Sequence, residues 1–239
     1  MLEVHHVSKS FAENQVLDHI DLTLAAGECW CIVGVNGAGK TTLLRCILNA
    51  YPLDEGTITV NGLDSVQDSV AIKSVIGVVA DINPLINEFT IYQYLQFIGR
   101  LHRLTAAERE ARIQSLTSYF FADLSVLSQR IQILSTGNRQ RVGLCGALLH
   151  QPKVLLLDEP FAGLDLETVH TLISFLKNYL LQGGTILMTS HNPERMQRLA
   201  THVAILKAGQ ITFTETMENL TQNQHQEIDE ILLEQMKNG

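Results

Sequence analysis

Apolar and polar residues alternate at the start of the chain. Leu2-Glu3-Val4-His5-His6-Val7 and the stretch from Gln15 to Leu24 run at a period of two, with breaks at Asn14 and Gly27. That pattern predicts antiparallel strands. Cys29-Trp30-Cys31-Ile32-Val33 is almost wholly apolar and reads as a buried strand, and Gly56-Thr57-Ile58-Thr59-Val60 as a further strand closed by an Asn61-Gly62 turn. Ile76 to Ala80 is a short strand. From Thr90 the period lengthens: Ile91, Tyr94, Leu95, Ile98 and Leu101 recur at helical spacing, and Ile113, Leu116 and Phe120 continue in a second helix. The strand signal returns at Val154–Leu157 and Thr185–Thr189, uninterrupted or nearly uninterrupted apolar runs of the kind that suit a parallel sheet covered on both faces. A helix from Glu167 to Leu180 separates them, and His202–Leu206 with Gln210–Phe213 predicts a final hairpin around Ala208-Gly209. The expectation is an α/β domain over residues 1–220, with an N-terminal antiparallel β-subdomain and a helical insert at about 88–146. A polar tail, 221–239, carries one amphipathic set (Ile228, Ile231, Leu232) and reads as a terminal helix.

Composition narrows the function. An apolar content of 46% in 239 residues supports a sizeable core. A formal charge of −8 argues against a nucleic-acid partner, since phosphate backbones demand clustered Lys and Arg. No run of eighteen uncharged apolar residues exists and Met1–His6 is no signal peptide, so a soluble protein is expected, with any membrane contact made through a partner. Cys29, Cys31, Cys46 and Cys145 sit in apolar segments without the spacing of a disulfide framework, and core thiols are the better reading than a metal pair. Eight of the nine histidines, His5, His6 and His19 among them, show no ligand spacing.

The chemistry is concentrated in Gly34-Val35-Asn36-Gly37-Ala38-Gly39-Lys40-Thr41, which fits G-x-x-x-x-G-K-[ST] at every position. Its glycines let backbone N–H groups turn inward around phosphates, Lys40 reaches the β- and γ-phosphates, and the Thr41 hydroxyl suits Mg²⁺. The strand before it and the helix beginning at Thr42 supply the context the motif needs, and the helix N-terminus adds its positive end. Further on, Val154-Leu155-Leu156-Leu157-Asp158-Glu159-Pro160 puts two acids at the C-terminal end of a buried strand, where open α/β sheets bind ligands. Asp158 is placed to serve Mg²⁺, and Glu159 to polarise an attacking water.

Together with Leu134-Ser135-Thr136-Gly137, Gly163-Leu164-Asp165 and Thr189-Ser190-His191, these motifs follow the order of an ATP-binding-cassette (ABC) ATPase. The chain resembles that family from residue 1 to about 215. The resemblance implies a P-loop NTPase (RecA-like) core that binds ATP and Mg²⁺. It implies that Phe11 stacks on adenine, while Asn36, Gly37, Ala38, Gly39, Lys40, Thr41 and Thr42 hold phosphate. Ser135 and Gly137 would meet the γ-phosphate of a nucleotide on another subunit, Asp165 would link the two sites, Glu159 would be the base, and His191 would contact the γ-phosphate. Asp81 stands where the family has a glutamine near Mg²⁺, and Thr136 and Asn138 replace its usual glycine and glutamine. These departures resemble ATPases of ABC-2-type exporters. The implied protein is a cytoplasmic ATPase, a head-to-tail dimer held on the inner face of the membrane by a separate permease; a soluble assembly ATPase is the alternative. The segment Asn83–Thr90, carrying Leu85, Ile86 and Phe89, is expected to receive that permease.

Overall fold

The computed structural model describes residues 1–80, 84–190 and 196–222. Two sheets organise them. Strand β1 (Leu2–Phe11) pairs antiparallel with both β2 (Asn14–Leu24) and β4 (Glu55–Val60), and the two-residue strand β5 (Leu63–Asp64) extends this sheet to the order β2-β1-β4-β5. The predicted turn after β4 is present, with Asn61 at φ 51° and Gly62 at φ 80°, the pair of left-handed residues that a tight hairpin turn requires.

Strand β3 (Cys29–Val33) leaves its sequence neighbours and joins a second sheet of order β10-β9-β3-β8-β7-β6. The other members are β6 (Ile76–Val79), β7 (Val154–Asp158), β8 (Thr185–Thr189), β9 (His202–Lys207) and β10 (Gln210–Thr216). β6, β7, β8, β3 and β9 run parallel, and β10 closes the edge antiparallel to β9. Alternate residues of these strands enter two different cores. Cys31, Leu155, Leu157 and Met188 face the helical side, whereas Ile32, Leu156 and Leu187 face α1 (Lys40–Ile47) and the N-terminal sheet. Burial on both faces is why these strands lack polar alternation.

Helix α2 (Ser69–Val75) precedes β6, and the insert follows it as α3 (Ile91–Leu101), α4 (Ala106–Phe120), two short 3₁₀ turns and α5 (Thr136–Leu148). Thr90 with Gln93 and Thr105 with Glu108 form capping boxes that start α3 and α4. Helix α6 (Leu166–Leu181) links β7 to β8, and α7 (Met217–Gln222) crosses position 221. The amphipathic set Ile228, Ile231 and Leu232 lies outside the described residues. One expectation changes: Leu85 is buried in the core on the helical side, with Phe89 packed against the same cluster. Its side chain anchors the loop and is not available to a partner, whereas Ile86 is half-buried.

Candidate functional site

The phosphate loop joins β3 to α1, and two of its glycines are sterically required. Gly39 has φ 109°, and a methyl group there would lie 2.7 Å from the Val16 carbonyl oxygen and 2.9 Å from Leu17 Cδ2. A methyl group on Gly34 would lie 2.4 Å from the carbonyl oxygen of Leu206 in β9. The loop is thus clasped between β2 and β9. Lys40, buried at the start of α1, donates through Nζ to the carbonyl oxygens of Gly34 (2.7 Å) and Val35 (3.1 Å), which keeps its ammonium inside the loop.

Thr41, next on α1, points toward the end of β7. Its Oγ1 donates to Asp158 Oδ2 at 2.9 Å, while Thr189 Oγ1, from the neighbouring strand β8, donates to Asp158 Oδ1 at 2.6 Å. The same Thr189 oxygen accepts from the Glu159 backbone N–H at 3.1 Å. Glu159 has φ 49°, an uncommon conformation for a side chain of its size, so the chain turns sharply where β7 ends. Parallel pairing brings this about: Asp158 sits opposite Thr189 in the β7–β8 register.

A cavity of about 240 Å³ opens above these groups, lined by Val16, Asn36, Gly37, Gly39, Lys40, Thr41, Thr42, Asp158 and Glu159. Eight of the nine were expected from sequence, and Val16 was not. Ala38 belongs to the loop but is buried. A second cavity, about 300 Å³, shares Thr41 and Asp158 and continues along α1 to Val78, Val79 and Ala80. A larger groove of about 550 Å³ between α4 and α6 shares no residue with the phosphate loop.

The remaining expected residues stand apart from the cavity. Phe11 is exposed at the tip of β1 and meets Tyr51 edge-on, ring centroids 5.1 Å apart. Ser135 caps α5, its Oγ accepting from Asn138 N–H, and Gly137 faces the loop at Gly163. Asp165 caps α6 and accepts from Thr168 N–H at 2.8 Å and from the Thr168 hydroxyl at 2.9 Å. Those two bonds, then the nearby Arg141, hold its carboxyl below the usual range. Arg141 bonds Asp165 at 3.1 Å, contacts Thr168 and reaches Asn138, which ties the start of α5 to the start of α6. Sequence reasoning gave Arg141 and Thr189 no role; only the fold reveals the tie and the bridge. Asp81 and His191 lie outside the described residues.

All four cysteines are free and buried, and burial pushes the Cys29, Cys31 and Cys145 thiols up and that of Cys46 to about 11. Core thiols are what the apolar segments around these cysteines predict.

Comparison with known proteins agrees with this geometry. A family model described as ABC transporter matches residues 17–162. The chain is 37% identical over 208 residues to a Nod factor export ATP-binding protein I of Rhizobium meliloti, covering 87% of this chain and 62% of that protein, so it spans under two thirds of that relative's length. It is 34% identical over 209 residues to the ABC transporter ATP-binding protein NatA of Bacillus subtilis (strain 168), covering 87% of this chain and 85% of the other. A solved ATP-binding subunit of an ABC transporter superposes with a TM-score of 0.92 at 26% identity, over 98% of this chain and 99% of that one. The family match spans the clasped loop and the acid pair of β7 alike, and the chain belongs to the ABC transporter family.

Proposed function

We propose that this chain binds ATP with Mg²⁺ at the phosphate loop, hydrolyses it, and drives export through a separate membrane permease. The observation that carries the reading is the chain of bonds Thr41–Asp158–Thr189–Glu159. Two neighbouring ligands of an octahedral Mg²⁺ with bonds of about 2.0–2.1 Å stand about 2.9 Å apart, and Thr41 Oγ1 and Asp158 Oδ2 are 2.9 Å apart. The pair fits the ion, which when bound offsets charge on the phosphate oxygens. Lys40 exchanges its carbonyl partners for phosphate oxygens. Glu159, its backbone fixed on Thr189, accepts a proton from the water that attacks the γ-phosphorus, and ADP departs with the bridging oxygen.

Ser135 and Gly137 are not among the residues lining the cavity. A second copy, arranged head-to-tail, brings its own signature residues to this site, and Arg141 couples them to Asp165. No helix among the described residues is long and apolar enough to cross a membrane; the relatives named above as export and transporter proteins support an exporter subunit working with a permease on the inner face of the membrane. The half-buried Ile86 is our candidate permease contact, Phe11 the adenine platform, and Asp81 and His191 the additional Mg²⁺ and γ-phosphate groups.

The test is Glu159→Gln, which keeps shape and removes the proton acceptor. Hydrolysis should fall by about 10²–10⁴-fold, with ATP binding retained and an ATP-dependent dimer on a sizing column. Turnover within a few-fold of wild type would overturn the assignment.

A further inference from the structure

The groove of about 550 Å³ between α4 and α6 takes no part in the nucleotide chemistry above. It opens where the helical insert meets the core. Lys153, on its rim, precedes β7 and Asp158 ends that strand, so about 17 Å of strand separates groove and phosphate site. Three aromatic rings line it, Tyr119 from α4 and Phe175 and Tyr179 from α6. Tyr119 and Phe175 meet edge-on with ring centroids 5.3 Å apart, and Tyr119 is still 41% exposed. Tyr179 lies against the turn after α6, where a methyl group on Gly184 would collide with its ring, and its hydroxyl donates to the Pro152 carbonyl oxygen at 3.2 Å. Arg112 and Lys153 line the same groove and no Asp or Glu does, in a chain with 25 acids against 17 bases. Neither cation forms an ion pair among the described residues. Glu108, one turn before Arg112 on α4, is engaged at 2.8 Å by the Thr105 cap. Arg112 Nη1 donates to the Leu149 carbonyl oxygen at 3.2 Å, which tethers the guanidinium beside the groove; its other N–H groups have no partner among the described residues.

We propose that this groove binds an aromatic acid, a flat body of about two or three rings carrying a carboxylate or sulfonate. The volume is of the size that small-molecule sites use. Its rings offer edge-on or offset stacking to a flat body. A guanidinium with unpaired N–H groups holds a planar anion through two parallel bonds, and Lys153 adds a second positive charge without a fixed geometry. Charge and surface select the class together. A neutral body would leave both cations unused, and an anion without rings would leave the aromatic surface wet. Because α4 belongs to the insert and α6 to the core, the occupant touches both units without reaching the nucleotide. The residues that make the site come from four separate segments, which is why the sequence concealed it.

The probe is 8-anilinonaphthalene-1-sulfonate, titrated by fluorescence against the full chain near neutral pH, with and without a saturating non-hydrolysable ATP analogue and Mg²⁺. Wild type should bind one dye per chain with the same affinity in both conditions. The double variant Arg112→Gln, Lys153→Gln removes both charges and should weaken binding at least about tenfold. Ser115→Trp, at an exposed position of α4 on the groove, should block it. ATP turnover should be unchanged in both variants. The uncharged analogue N-phenyl-1-naphthylamine should bind wild type at least about tenfold more weakly than the sulfonate does. Absence of saturable dye binding, displacement of the dye by the nucleotide analogue, wild-type affinity in either variant, or an amine bound as tightly as the sulfonate would overturn the proposal.

Discussion

Thr189→Val is the sharpest probe of how Asp158 and Glu159 are held. The change preserves shape and removes one hydroxyl from a fully buried position. That hydroxyl donates to Asp158 at 2.6 Å and accepts from Glu159 N–H at 3.1 Å. A hydrogen bond to a charged group contributes about 1.5–3 kcal/mol and a neutral one about 0.5–1.5, so the variant should lose about 2–4 kcal/mol. Thr189→Ser keeps both bonds and loses one methyl group, about 1 kcal/mol. Urea unfolding of the nucleotide-free protein at pH 7 measures both. Turnover should follow the bonds: with Glu159 no longer pinned, a displacement near 1 Å lowers the rate by about 10²-fold, whereas the serine variant should stay near wild type. A valine variant within about 0.5 kcal/mol of wild type, or a serine variant as impaired as valine, would refute the bridge.

Gly39→Ala should abolish binding of a fluorescent nucleotide, because the added methyl meets the Val16 carbonyl at 2.7 Å, whereas Gly37→Ala, with nothing within 4 Å, carries only about 1–2 kcal/mol of backbone strain and should still bind; equal behaviour of the two would remove the steric argument. Burial, then the stacked ring of His102 at 3.7 Å, pushes His150 down to about 4, below its unfolded value of about 6.5. The folded state therefore binds fewer protons between these limits, and stability, complete above about pH 6.5, should fall by about 1–2 kcal/mol from pH 7 to 5; a His150→Gln variant with an unfolding profile parallel to wild type would contradict this. Ile86→Glu should leave turnover of the isolated protein intact and abolish co-purification with the permease, and normal co-purification would move the contact elsewhere.

What the sequence disclosed was mostly local. The phosphate loop and the acids after β7 lie in unbroken motifs, and the parallel strands betray themselves by apolar runs that only two-sided burial permits. Partnership between distant segments was hidden. Nothing in Cys29–Val33 says that it abandons β1 and β2 for β8 and β9, since an apolar strand suits either sheet. Helix α2 buries only Ile72 and so carries no helical stripe. The apolar character of Leu85 was plain but its direction was not, because a loop side chain turns inward or outward at equal cost in sequence. Two signals went unused: Thr90-x-x-Gln93 and Thr105-x-x-Glu108 mark the starts of α3 and α4 to the residue.

The close approach of Gly34 to the carbonyl of Leu206 has a consequence for biosynthesis. A nascent chain carries the whole phosphate motif by Thr41 and both acids by Glu159, yet one wall of the loop belongs to β9, which emerges from the ribosome tens of residues later. Until then Gly34 lacks the Leu206 carbonyl against which it packs, and the central strand β3 lacks one of its two neighbours. The motif is thus written early in the chain, but its loop reaches its final packing only once β9 has been made.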